Sequence, residues 1–241
     1  MPAAGGGPQQ RVLAQTSKVL VTCCFSFVGG WVDVVCIVRY SAFAAMQTGN
    51  TVMIGKSIAD SDHAADVLYY AVVVVSNMLG VVCLELLKWF LSVHASTRNP
   101  ASILALPILA LLVACDALDA IVGSSKWHMC LPAAAFGAQN ALVSSPQVLG
   151  LPTTIMTGNI AKVGTAMVEL CKARGSRQAA LDVCKMYLSN LCAVVFTVLG
   201  AVAAALAIRA RDEVSNPTSW AFVPTALVLA VLLCALGQPA E

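Results

Sequence analysis

Apolar residues come in long runs along this chain, separated by short polar stretches. The runs predict helices over 19–38, 67–87, 101–122, 128–145, 183–208 and 220–237. Most reach the ~20 residues needed to cross a bilayer. The polar stretches hold Asp60, Asp62, His63 and Asp66, then Lys88 to Pro100, Gly123 to Lys126, Lys172 to Arg177 and Asp212 to Ser219. Two weaker apolar segments are interrupted near their starts, one at Thr48-Gly49-Asn50 and one at Thr157-Gly158-Asn159. Pro107 lies inside the third run, a kink that neighbouring helices can accommodate.

The two interruptions are landmarks of a repeat. Upstream of the first, Gly30 stands three residues before Asp33; upstream of the second, Gly137 stands three before Asn140. Downstream, Ser76-Asn77 and Ser189-Asn190 each sit inside an apolar run. Paired landmarks in the same order predict two internal repeats, over 19–127 and 128–237, flanked by a disordered tail over 1–18 and a short tail over 238–241. Arg11 and Lys18 before the first run resemble the start of a signal peptide. The recurrence of Gly30/Asp33 as Gly137/Asn140 keeps that run as a mature span. The fold class is therefore all-α, a polytopic bundle of about six main spans plus two broken or re-entrant segments. If the broken segments stay on one side, each repeat crosses three times and the second is inverted; if they cross, each repeat crosses four times and the two are parallel. Lys56 and Lys162, soon after the breaks, favour the first arrangement, because lysine is costly in mid-bilayer.

Composition narrows the class. Of the 241 residues, 59% are hydrophobic and only 11% charged, about half the usual charge of a soluble domain. The net charge of +2 and the lack of a Lys/Arg block exclude a nucleic-acid partner. The ten cysteines lie mostly in or beside apolar runs with no Cys-x-x-Cys pair, and His63, His94 and His128 are far apart. That pattern predicts core thiols and no metal centre. No metalloprotease, nucleophile-elbow, P-loop or dinucleotide motif occurs, so no catalytic residue, enzyme activity or cofactor is assigned.

The candidate chemistry gathers at the breaks. Gly49 and Gly158 permit a turn, and Asn50 and Asn159 are expected as N-caps of the helices that follow. In the inverted arrangement those two N-termini would meet near the midplane and receive a polar or anionic group. Thr48, Gly49, Asn50, Thr157, Gly158 and Asn159 are thus the candidate solute-binding residues, with Gln139 and Asn140 opposite. Asp33, buried in the first span, is the candidate ion-coupling group. Asp116 and Asp119 are expected as interfacial acids facing water, with a metal or proton site as the sharper reading. Ser76-Asn77 and Ser189-Asn190 are expected to hydrogen-bond between helices, with site lining as the lesser reading, Glu85–Lys88 and Glu169–Lys172 to pair, and Gly80 and Gly200 to be packing contacts. The expected partners are the lipid bilayer and a small solute or ion, in a plasma- or inner-membrane setting. A transporter or channel is the leading function; a non-transporting scaffold, in which the same residues only pack the halves, is the alternative.

With Gly30-x-x-Asp33, Phe43 before Thr48-Gly49-Asn50, Gly137-x-Gln139-Asn140 and Thr157-Gly158-Asn159 in place, the chain resembles the YoaK-like family of integral membrane proteins over about residues 19–237. The resemblance implies a polytopic inner- or plasma-membrane protein and brings no reaction or substrate.

Overall fold

The computed structural model describes residues 8–60, 64–94, 101–144, 156–212, 221–222, 225–226 and 228. Among them the chain is helical, without strands. Helix α1 spans Pro8–Tyr40, α2 Gln47–Ala59, α3 Ala64–His94, α4 Ala101–Val122, α5 Cys130–Ser144, α6 Met156–Lys172 and α7 Arg177–Asp212. A short 3-10 turn, Lys126–Met129, leads into α5. Helix α1 starts at Pro8, well before the predicted 19, because proline suits a first helical position, where its missing N–H costs nothing. Most of the predicted last span, the tail 238–241 and the loop before α6 lie outside the described residues.

Asn50 and Asn159 are not N-caps. Helix α2 begins at Gln47 after Met46, and α6 begins at Met156, so each asparagine is the fourth residue of its helix. Each helix takes in its Thr-Gly-Asn triplet, with the threonine exposed and the asparagine buried.

Side-chain pairs set the helix directions. Lys126 meets Asp66 and Trp127 packs edge-on against Tyr69, while Asn77 donates to the Ala133 carbonyl and Lys88 to that of Ala141. Partners advance together, so α3 and α5 run parallel. Helices α1 and α7 are parallel by the same logic, with Cys23 beside Cys192 and Gly30 beside Thr197. Tyr69 and Tyr70 of α3 donate to the carbonyls of Tyr40 and Ser41 at 2.7 and 3.1 Å, so α3 starts where α1 ends, and Asn77 further along reaches the Ala44 carbonyl beside Asp33, so it runs back the other way. Helix α4 also ends there, and α5 starts there, since Cys115 and Asp119 both bond His128.

Four glycines let these helices touch backbone to backbone. A Cβ on Gly30 would collide with the Thr197 carbonyl oxygen, and one on Gly200 with that of Phe27. At the α3–α5 crossing, Gly80 meets the Ala134 carbonyl and Gly137 that of Asn77. Each helix offers a glycine and, three residues earlier, a carbonyl. The packing role expected of Gly80 and Gly200 is therefore present.

Adjacent glycines in α1 give a clean test. Nothing lies within 4 Å of a Cβ on Gly29, whereas one on Gly30 meets backbone. Gly29→Ala should hold or raise the thermal midpoint of the detergent-purified protein, by up to about 1 kcal/mol. Gly30→Ala should lower stability by about 1–3 kcal/mol. Equal midpoints would show that the crossing is not a tight contact.

Candidate functional site

The first break is a hydrogen-bonded turn held from three sides. After Tyr40, Ser41 takes a positive φ of 58°, a left-handed conformation that costs a non-glycine residue roughly 1–2 kcal/mol. The Ser41 N–H still bonds the Ile37 carbonyl, and the chain then doubles back beside α1. Asp33, 4% exposed, accepts the Ala45 amide at 2.8 Å, with the Ala44 and Met46 amides on the same carboxylate. Helix α2 therefore begins about 10 Å back from the end of α1. From inside α2, the fully buried Asn50 closes a ring on Phe43: its Oδ1 accepts the Phe43 amide at 2.9 Å and its Nδ2 donates to the Phe43 carbonyl at 2.7 Å. Nδ2 also lies 3.0 Å from Gln47 Oε1. Gln47 itself donates to the Ala44 carbonyl, which Asn77 of α3 reaches at 3.4 Å.

Gly49 has no room for a side chain, because a Cβ would sit 2.6 Å from the Phe43 ring. Thr48 is exposed. The second break shares the pattern: Thr157 is exposed, Gly158 half-buried and Asn159 1% exposed. Asn190 of α7 donates to Asn159 Oδ1 at 2.9 Å. The inter-helix bonds expected of Asn77 and Asn190 are thus present, whereas the Ser76 hydroxyl donates within its own helix, to the Val72 carbonyl at 2.8 Å. Helix α2 packs on α3 and α6 on α7, and no hydrogen bond among the described residues joins the two Thr-Gly-Asn turns.

Gln139 and Asn140 sit on α5, whose faces are buried almost all round. Gln139 is fully buried, and neither its Nε2 nor its Oε1 has a partner; Asn140 Oδ1 and Ser26 Oγ of α1 are likewise buried and unpartnered. An apolar cleft of about 120 Å³ lies elsewhere, lined by Phe27, Val28, Trp31, Thr225 and Val228. None of the candidate residues borders it.

The largest polar cluster was not expected. Asp116 is fully buried and the Asp119 side chain 6% exposed, so these are not water-facing acids. Arg39 at the end of α1 reaches both, at 3.3 and 3.5 Å. The Tyr40 hydroxyl donates to Asp119 at 2.5 Å and lies 3.3 Å from Cys115 Sγ. His128 Nδ1 lies 2.6 Å from Asp119, and Asp116 accepts the Phe222 amide at 2.7 Å. The carboxylates are buried because α1, the 3-10 turn and residues 221–222 close over the end of α4. The sequence signal was an arginine at one span end and two acids at another, unpaired until the fold brought those ends together. Glu85–Lys88 and Glu169–Lys172 do form the expected exposed pairs, at 2.6 and 2.8 Å.

Val19–Tyr40, Ala64–Leu91 and Arg177–Ala210 are each long and apolar enough to cross a membrane, which with the overall composition marks an all-helical membrane protein. The chain belongs to the family described as Protein of unknown function (DUF1275), which it matches over residues 21–235. No curated protein and no solved structure matches it.

Asn50 and Thr48 should separate cleanly on substitution. Asn50→Ala leaves the Phe43 amide without its partner and the Phe43 carbonyl with only a long 3.5 Å bond from Gln47, and should cost about 1–3 kcal/mol. Thr48→Ala, at an exposed position, should stay within about 0.5 kcal/mol of wild type. Thermal unfolding of both variants in detergent checks this, and a neutral Asn50→Ala would mean that the ring on Phe43 does not hold the turn.

Proposed function

We propose that the chain is a six-span, multi-pass protein of a plasma- or inner-type membrane that carries or conducts a small polar solute. On this reading it is two inverted repeats, with α2 and α6 as re-entrant half-helices. Three features support the architecture. The start of α2 lies deep beside α1 while its end returns to the start of α3. The glycine crossings α1–α7 and α3–α5 obey one rule. Helices α1, α4 and α7 run one way and α3 and α5 the other, as three crossings per half require. The inverted arrangement also puts Lys88 and the Lys172–Arg177 loop on the side of Arg11 and Lys18, which is the cytoplasmic side. Reporter tags on the N- and C-termini should then be found on the same side in membrane vesicles, as should thiol labelling of the exposed Cys171. Opposite sides for the two termini would reject the six-span count.

The observation that carries the solute reading is Gln139. A buried amide with no hydrogen bond costs roughly 1–3 kcal/mol by protein mutational data, so a helix interior has no structural use for one. Presenting both a donor and an acceptor, it suits a neutral polar solute. Broken helices occur at membrane depth where they line protein-enclosed or watered sites, and Asn140 and Ser26 add unpartnered polar atoms. Asp33 serves here first as the anchor of the first break, and an ion-coupling role would act by releasing the amides it holds. No enzyme activity is part of this reading. The scaffold reading keeps one observation of its own: Asn50 and Asn159 use their hydrogen bonds within the fold.

A thermal-shift screen against neutral solutes and ions tests the proposal. A native-state ligand at 100 times its dissociation constant adds about 2.7 kcal/mol. The wild type should respond to some polar solute. Gln139→Leu should be as stable as wild type or more so, and should lose the response. If no solute shifts the folded wild type, the scaffold reading takes over.

A further inference from the structure

The Arg39–Asp116–Asp119–His128 network takes no part in either break, and it lies at a single end of the bundle. There α1 and α4 finish, and α3 and α5 begin. It ties four separate pieces of chain: α1 through Arg39 and Tyr40, α4 through Cys115, Asp116 and Asp119, the 3-10 turn through His128, and residues 221–222 through the Phe222 amide. The Arg39 guanidinium also lies 5.6 Å from the centre of the Phe222 ring. Nearby, Lys126 of the same turn pairs with Asp66 of α3, over the rings of Tyr69 and Trp127.

The sequence provides no second copy. The offset of 107 residues that carries Gly30 to Gly137 carries Arg39 and Tyr40 to Pro146 and Gln147. The stretch 220–237 that would answer α4 contains no Asp or Glu. The pairing of halves through glycine is thus reciprocal, but the charged fastening is one-sided.

The two kinds of contact respond differently to water. Glycine–carbonyl crossings are dry backbone packing and lose contact energy if they separate. Charged side chains can exchange their partners for water when they part, which lowers the net cost of separating them. We propose that the Arg39–Asp116–Asp119–His128 network is a gate at one end of the bundle, opening by separation of α1, α4 and the 3-10 turn while the glycine crossings act as the pivot. The proposal rests on the two-repeat carrier reading. In its terms, the network closes one end of the solute path by charge.

Cys115 is a built-in reporter, buried and bonded to Tyr40, whereas Cys23 is buried between α1 and α7 and Cys171 is exposed. The purified full-length protein is pulsed with a charged maleimide, and labelling of each cysteine is followed by mass spectrometry. In the wild type, Cys115 should label far more slowly than Cys171. Asp119→Asn and the milder Tyr40→Phe should each speed Cys115 by about tenfold, the shift expected from losing one charge-assisted bond, with Cys23 unchanged. Glu85→Gln, which breaks only the exposed pair with Lys88, should leave Cys115 at the wild-type rate. Cys115 and Cys23 rising together would overturn the gate and show a structural staple. So would an unaltered Cys115 in both folded variants. Because labelling needs no solute, a negative solute screen with selective Cys115 exposure would reject the carrier reading and leave the gate standing.

Discussion

The constraint on which this structure depends is that backbone amides and carbonyls away from water must find partners. Residues 41–46 leave the helix beside α1, and the side chains around them meet that demand. Tyr69 and Tyr70 cover the last carbonyls of α1. Asp33 takes the Ala44–Met46 amides, and Asn50 takes both backbone groups of Phe43. Gln47 and Asn77 share the Ala44 carbonyl. Six polar side chains from three helices thus converge on one short turn, which explains why so apolar a chain keeps them inside.

With the turn fixed, α2 lies on α3, and α1 and α3 are held antiparallel. The glycines then decide how closely the remaining helices approach. Without water to drive association, helices in a bilayer gain from packing, and small residues permit the close backbone approach that packing needs. Gly30, Gly80, Gly137 and Gly200 give that approach at two crossings of the same geometry. Fastening at the ends is left to side chains, and there the two ends differ.

Much of the fold was legible in the sequence, because apolar run length and loop polarity act locally. The bounds of α4 match the predicted run, and the breaks, the glycines and the roles of Asn77 and Asn190 could be read from position alone. Helix starts were less legible. Asn50 resembles a cap because asparagine favours caps, but α2 starts three residues earlier and the Asn50 side-chain amide is engaged with Phe43. The Arg39–Asp116–Asp119–His128 network was hidden for a different reason: each member, read alone at the end of a span, looks like a residue facing water. Gln139 was legible as a polar residue in an apolar run, but its lack of any partner is a property of the packed helices.

The closest partner of α1 is α7, and that of α3 is α5. Neither is covered mainly by its own neighbour in sequence. Until α5 and α7 have been made, Gly30 and Gly80 lack the carbonyls they pack against. Assembly must end with an interlocking of early and late chain. A copy cut between α4 and α5 would consequently be two unfinished surfaces, each the mould for the other.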